Sequence, residues 1–122
     1  MPIPRTTKEA VKERLDAGQA PLFVDARLKY PYEHSTLLLP GAIRVPPDEA
    51  EAFSPPKDRD IVVYDSDPDE IVAALVVASL IDRGFRAVVL EGGLPAWAAA
   101  SLPMDTKEAR RTSPPAAGAA NG

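Results

Sequence analysis

The sequence predicts one α/β domain, built as an open parallel sheet with helices on both faces. Short apolar segments rich in β-branched residues alternate along the chain with helical segments, which is the order typical of a parallel sheet. The strongest strand candidate has no alternation of polar residues, as expected for a strand buried on both faces. The chain has 122 residues, which suits one hydrophobic core better than two.

The first third of the chain predicts a helix followed by a buried strand. Thr6-Thr7-Lys8-Glu9 has the spacing of a capping box, so the helix is expected over about residues 7–17, with Gly18 as its stop. The apolar segment 21–24 then predicts a strand that delivers Asp25 and Arg27 at its carboxyl end.

Weaker signals follow. Residues 28–40 are expected to be mostly loop, Gly41–Val45 is a short strand candidate, and residues 48–53 allow one or two helical turns.

The second half predicts two further strands, each followed by a helix. The β-branched segment 60–65 is expected to be the central strand. Asp67 as cap and Pro68 at the first position predict a helix that runs to about Arg83, with Gly84 as its C-cap. Residues 87–91 form the last predicted strand. A tight turn at Gly92-Gly93 then leads into a short helix in which Trp97 packs against the sheet.

Composition and charge indicate where the protein is located and which class of partner it binds. No secretory signal is visible at the amino terminus, and the longest apolar run is too short for a membrane span, so a cytoplasmic protein is expected. The formal net charge of -4 argues against nucleic acid and anionic membranes, which leaves a protein partner as the expectation. The sequence specifies neither that partner nor an oligomeric state.

Cysteine is absent from the whole chain. This excludes disulfides, thiolate metal sites and any mechanism that carries sulfur on a thiol of this chain.

A series of short motifs resembles the rhodanese-like family over about residues 5–104. The motifs are Asp25-Ala26-Arg27, Tyr32-Glu33, Leu39-Pro40-Gly41-Ala42-Ile43, the central strand IVVYD, Asp82-Arg83-Gly84-Phe85 and Val89-Leu90-Glu91-Gly92-Gly93-Leu94-Pro95-Ala96-Trp97. The resemblance implies a rhodanese-like domain over residues 1–104. Residues 105–122 are rich in Pro, Ala, Gly and Ser and are predicted to be a disordered C-terminal tail.

The resemblance also implies the position of a former active site. In the family, a loop after the central strand begins with a cysteine that becomes a persulfide, cradled by backbone N–H groups. That position matches Asp65, and the corresponding loop is Asp65-Ser66-Asp67-Pro68-Asp69-Glu70. Glu70 stands where active relatives often have an arginine, and Leu38-Leu39 replaces the usual histidine-isoleucine. Four carboxylates in this loop are expected to reverse the charge preference of the pocket.

Several interpretations of these residues stay open. Asp65 is expected to fill the anion position, and a stronger hypothesis has Arg27 pairing with Asp65 across the mouth. Asp25 and Arg27 either pair to stabilise the loop or act in a cleft. Asp65-Ser66-Asp67 resembles the DxD signature of haloacid-dehalogenase-type phosphatases, although no lysine follows at the required place. The spacing of Asp65, Asp67 and Asp69 resembles a calcium loop but lacks its glycine. His34, the only histidine, is expected to face solvent.

The sequence therefore predicts a noncatalytic binding or regulatory module on a sulfurtransferase scaffold, with no cofactor and no metal site. The alternatives are an enzyme that uses Asp65 in hydrolysis or phosphoryl transfer, and a sulfurtransferase partner whose thiol comes from another chain.

Overall fold

A computed structural model describes residues 3–66 and 70–108 of the chain. Within these ranges the strands, in chain order, are β1 Arg5–Thr6, β2 Leu22–Asp25, β3 Leu37–Leu38, β4 Ile43–Arg44, β5 Asp60–Tyr64, β6 Arg86–Leu90 and β7 Asp105–Thr106. The helices are α1 Lys8–Asp16, α2 Lys29–Glu33, α3 Ile71–Asp82 and α4 Gly93–Ala99, together with a 3-10 helix at Pro47–Ala52.

The main sheet has five strands in the order β1-β6-β5-β2-β4, and every neighbouring pair is parallel. β5 lies at the centre, as predicted, and its residues 61–64 are all buried. Register places Asp25 beside Tyr64 on one side and beside Arg44 on the other. The carboxyl ends of three adjacent strands therefore meet at one edge of the sheet, where open α/β folds bind ligands.

Helices cover both faces of this sheet, which confirms the predicted fold class. On one face the core is formed by α3 and the 3-10 helix, with Val76, Val77 and Leu80 fully buried. On the other face Val11 of α1 and Trp97 of α4 pack against Phe23, and the two aromatic rings meet edge to face with centroids 5.9 Å apart. Edge-to-face contact is a favoured arrangement for aromatic pairs.

The starts of helices α1 and α3 can be compared with the starts predicted from the sequence. The Thr7 hydroxyl accepts a hydrogen bond from the Ala10 N–H at 3.1 Å, so the N-cap of α1 is one residue later than Thr6, the cap that the capping-box spacing to Glu9 predicts. The predicted start of α3 at Pro68 is wrong: Glu70 has φ 62° and ψ 23°, a left-handed conformation that a right-handed helix cannot contain, so the helix begins at Ile71. The predicted cap Asp67, with Pro68 and Asp69, lies outside the described residues.

Two segments predicted as irregular are ordered. Residues 28–40 contain α2 and β3, and β3 pairs with β7 in an antiparallel ladder. The predicted domain boundary at residue 104 therefore falls too early, because Asp105 and Thr106 form a strand and the Lys107 N–H donates to the Thr36 carbonyl at 2.9 Å. Sequence composition missed this because the strand is held by pairing to a distant segment. The remainder of the predicted tail, residues 109–122, lies outside the described residues.

No helix in residues 3–66 and 70–108 is long and apolar enough to cross a membrane.

Candidate functional site

Asp65 follows β5 and reaches the amino terminus of α3. Its side chain is buried, with 1% of the residue exposed. The Oδ2 atom accepts a hydrogen bond from the Ala73 N–H at 2.7 Å, and the backbone carbonyl accepts one from the Leu94 N–H at 2.9 Å. The first N–H groups of a helix lack intrahelical partners and favour negative charge. The Asp65 carboxylate therefore lies at the amino terminus of α3, where it accepts one of these N–H groups.

Glu70 is also turned into the protein. It is buried, its Oε2 atom accepts the Gly92 N–H at 2.8 Å, and its other oxygen pairs with Arg5. The side chain thus joins β1, the start of α3 and the turn after β6. Of the four carboxylates expected to reverse the charge of the pocket, Asp65 and Glu70 are committed to backbone N–H groups and an arginine. Asp67 and Asp69 lie outside the described residues.

Gly93 explains why the turn after β6 needs glycine. It has φ 57°, and a Cβ atom there would lie 2.3 Å from the Asp65 carbonyl oxygen. A side chain would push the turn away from the Asp65 loop and break the hydrogen bond from Leu94. The sequence marked Gly92-Gly93 as a turn, but the contact with Asp65 depends on the packing of two separate segments.

Asp25 and Arg27 form a buried ion pair. Arg27 donates from Nε and Nη2 to the Asp25 carboxylate, with the Nη2 to Oδ2 distance at 2.6 Å, and Nη2 also reaches the Leu37 carbonyl at 2.9 Å. The two side chains are 0–1% exposed. Arg27 therefore pairs with Asp25, and the hypothesis that it pairs with Asp65 is wrong. The Asp25 and Arg27 side chains project from one strand end two residues apart, which brings them together without any distant contact.

Tyr64 completes this buried network and was missed by sequence reasoning. Its hydroxyl donates to Asp25 Oδ2 at 3.0 Å and accepts the Leu39 N–H at 3.2 Å. Burial, followed by the negative charge of Asp25, raises the pKa of the Tyr64 hydroxyl well above its ordinary value of 10.0. The only sequence signal was a polar-tipped aromatic residue within a buried strand, which must find a partner for its hydroxyl.

A second feature missed by sequence reasoning is a set of cations around Tyr32. The Arg44 guanidinium carbon lies 4.4 Å from the centre of the Tyr32 ring, and Lys107 Nζ lies 3.7 Å from it. The guanidinium of Arg27 is farther away, at 5.3 Å. Desolvation, followed by the positive charge of Arg27, lowers the pKa of Lys107. The set could not be predicted because Lys107 falls in the segment expected to be tail.

His34 is exposed, at the carboxyl end of α2, and its ring lies 6.2 Å from that of Tyr30. The expected solvent-facing position is confirmed. No group of three or more His, Asp or Glu side chains is placed to hold a metal ion within residues 3–66 and 70–108. Two of the three residues with calcium-loop spacing, Asp67 and Asp69, are outside these ranges.

The sheet is open and parallel, and polar side chains lie at the carboxyl ends of β2, β4 and β5. A carboxylate lies at the start of α3. Together these features define a doubly wound α/β domain with an anion at the amino terminus of a helix. The family model of the rhodanese-like domain matches residues 7–100. The chain belongs to the rhodanese-like domain family, in a form that has no cysteine.

Solved structures share this fold. A full-length protein from Lactobacillus plantarum is 23% identical with a TM-score of 0.75, over 84% of this chain and 87% of that one. The rhodanese-like domain of the Alr3790 protein from Anabaena sp. is 29% identical with a TM-score of 0.68, over 89% and 83%. The BH2092 protein from Bacillus halodurans is 22% identical with a TM-score of 0.70, over 84% and 77%. No curated protein sequence matches this chain.

Proposed function

We propose that this domain is a noncatalytic rhodanese-like module that binds a protein partner. One observation carries the first half of the proposal: the position expected for the persulfide cysteine holds Asp65, whose carboxylate bonds to the Ala73 N–H. Forming a persulfide requires a thiolate, and no residue of this chain supplies one. The Asp65 side chain takes the place that the resemblance assigns to the sulfur anion, at the amino terminus of α3.

The geometry also argues against Asp65 as a nucleophile in hydrolysis or phosphoryl transfer. A nucleophilic carboxylate must have an oxygen within reach of the substrate. Asp65 is 1% exposed, and its Oδ2 atom is committed to the terminus of α3. Attack on a substrate would require breaking this hydrogen bond and leaving the Ala73 N–H without its charged acceptor.

The second half of the proposal is supported by apolar side chains exposed at the same edge of the sheet. Leu28 is 51% exposed, Tyr30 67% and Ile43 44%. Leu28 and Tyr30 flank the start of α2, and Ile43 lies in β4, which pairs with β2. Leu28 and Tyr30 are two residues apart, and exposed apolar side chains that lie close together are typical of surfaces that bind proteins.

The test is thiosulfate-to-cyanide sulfur transfer by the unaltered chain beside Asp65→Cys and Asp65→Ser, with folding checked by circular dichroism. The unaltered chain and Asp65→Ser are expected to be inactive. Sulfur transfer by the unaltered chain would contradict the proposal, as would covalent labelling of Asp65 by an aspartyl-phosphate analogue with magnesium present.

Asp65→Cys tells how much of the old site survives. A thiolate at this position would face the same Ala73 N–H. We expect it to attack the outer sulfur of thiosulfate, release sulfite and hold the sulfur as a persulfide, which mass spectrometry detects as one added sulfur atom. If Asp65→Cys folds and takes up no sulfur, more of the site than residue 65 has changed, and the domain is still noncatalytic.

A further inference from the structure

A groove of about 530 Å³ lies beside the ion pair of Asp25 and Arg27, at the carboxyl edge of the sheet. We call it the Arg44 groove. Arg44, the last residue of β4, lines the groove, and Leu28, Pro46 and Pro47 supply apolar walls. Of the Asp65 loop, the described residues Asp65, Ser66 and Glu70 do not line the groove. The two prolines lose little conformational freedom when a peptide packs against them.

Arg44 is poorly satisfied by the protein. Its one hydrogen bond within the described residues is the long contact of 3.4 Å from Nη2 to the Arg27 carbonyl, and its buried Nε atom has no partner there. It forms no ion pair in residues 3–66 and 70–108, whereas Arg5, Arg14 and Arg86 each do. A guanidinium offers five donors in a fixed fork that suits a carboxylate.

Besides Arg44, the groove is lined by one other cation, Lys29, and a further cation near Arg44 but outside the lining is Lys107. Its ammonium group lies against the same Tyr32 ring and donates to the Tyr32 carbonyl, without an ion pair among the described residues. Arg27 has an ion-pair partner in Asp25, whereas neither Arg44 nor Lys107 forms an ion pair within the described residues. The face of the Tyr32 ring partly stabilises the positive charges of Arg44 and Lys107, and an incoming anion would stabilise them further.

The acidic residues of the Arg44 groove restrict the partner. Glu33, Asp48 and Glu49 also line it, and none of them forms an ion pair within the described part of the chain. A ligand with many negative charges would meet these carboxylates and be repelled. A ligand with one negative group among neutral or basic groups would satisfy both signs of charge.

We propose that the Arg44 groove binds an extended segment of a partner protein and that one Asp or Glu of this segment pairs with Arg44, next to Lys107. The acidic rim then faces neutral or basic residues on either side of that carboxylate. This inference rests on the proposed function, because it names the surface and the chemistry by which the noncatalytic module recognises its partner.

The test begins with a random peptide library displayed on phage and selected on the immobilised full chain. We expect enrichment of peptides that carry a single acidic residue flanked by neutral or basic residues. One enriched peptide and its Glu→Gln counterpart are then titrated by fluorescence anisotropy against the unaltered chain and Arg44→Gln. The Arg44→Gln change is expected to raise the Kd for the parent peptide about tenfold, which corresponds to about 1.4 kcal/mol of binding free energy. The Glu→Gln peptide should bind both chains about equally, because its partner for Arg44 is missing.

Two further variants serve as a control for lost charge and as a substitute for Arg44→Gln. Arg59→Gln removes the same charge from an exposed arginine that precedes β5, at the opposite edge of the sheet, and should leave affinity within about twofold. Lys107→Gln should weaken binding about threefold and serves if Arg44→Gln does not fold, since rim charges contribute less than the central one.

The inference is overturned if no acidic peptide is enriched, if the losses from Arg44→Gln and from the Glu→Gln peptide simply add, or if polyglutamate binds more tightly than the selected peptide. Each of these results leaves the proposed lack of sulfur transfer untouched. Sulfur transfer by the unaltered chain would overturn the proposed function and leave the coupling between Arg44 and the peptide carboxylate intact.

Discussion

Removing the Tyr64 hydroxyl should destabilise the domain strongly without leaving a cavity. The Tyr64→Phe change keeps the ring, which is fully buried in β5, and deletes only the oxygen that links Asp25 to the Leu39 N–H. Leu39 is fully buried, so its N–H cannot turn to water instead. Asp25 keeps its bonds to Arg27 and loses one charge-assisted hydrogen bond.

The size of the effect follows from these two losses. A buried N–H left without an acceptor costs about 1–3 kcal/mol, and a hydrogen bond to a charged group contributes about 1.5–3 kcal/mol. We therefore expect the free energy of unfolding to fall by about 3 kcal/mol, and Tm to fall by about 15 °C for a domain of this size. Urea unfolding followed by the fluorescence of Trp97, the only tryptophan and a fully buried one, measures the change.

Tyr30→Phe is the matched control. Tyr30 is 67% exposed, and its hydroxyl makes no hydrogen bond within the described residues, so the same deletion should change the free energy of unfolding by less than about 0.5 kcal/mol. If Tyr64→Phe changes stability as little as Tyr30→Phe does, then the Asp25, Arg27 and Tyr64 network is not the structural element described above.

Three further predictions concern the same edge of the sheet. Folding raises the pKa of Tyr64, so above pH 10 the folded chain keeps a proton that the unfolded chain loses, and the stabilisation is full below that pH and falls above it. The free energy of unfolding, measured in urea from pH 9 to 12, should therefore fall less steeply with pH for Tyr64→Phe, by about 1.4 kcal/mol per pH unit above pH 10. Gly93→Ala should lower the free energy of unfolding by more than about 2 kcal/mol, because the new Cβ atom meets the Asp65 carbonyl oxygen. Gly18→Ala, with open space around it, should lower it by about 1 kcal/mol. Equal losses for the two variants would contradict the close approach of Gly93 to Asp65. Arg27→Gln should cost about 3–5 kcal/mol by leaving the Asp25 carboxylate buried and unpaired, and adding Asp25→Asn should recover part of this loss in the same urea assay.

The predictable part of the fold was the part encoded by local signals. The threonine cap of α1, the uninterrupted β-branched segment of β5 and the glycine pair at the start of α4 each indicate an element without help from elsewhere in the chain. β1 and β7 are only two residues long and form because distant strands offer them partners. No local pattern could have indicated them.

The candidate site divides in the same way. The place of Asp65 was implied by the resemblance to the rhodanese-like family, and the pairing of Asp25 with Arg27 was one of two interpretations that their separation of two residues allowed. The direction of Glu70 could not, because it depends on the left-handed backbone at that residue and on the distant Gly92 and Arg5. The cations around Tyr32 come from three segments, and only the folded chain brings them together.

These placements change what the net charge of the chain says about its partner. The formal charge of -4 repels an acidic partner at long range, but salt screens this repulsion beyond about 10 Å at 0.1 M. At contact, the charges that matter are those without an internal partner. Asp65 bonds to a backbone N–H group and Glu70 pairs with Arg5, whereas neither Arg44 nor Lys107 forms an ion pair within the described residues. An acidic overall composition is therefore compatible with recognition of one carboxylate, and the repulsion from the remaining surface would restrict binding to segments with few other negative charges.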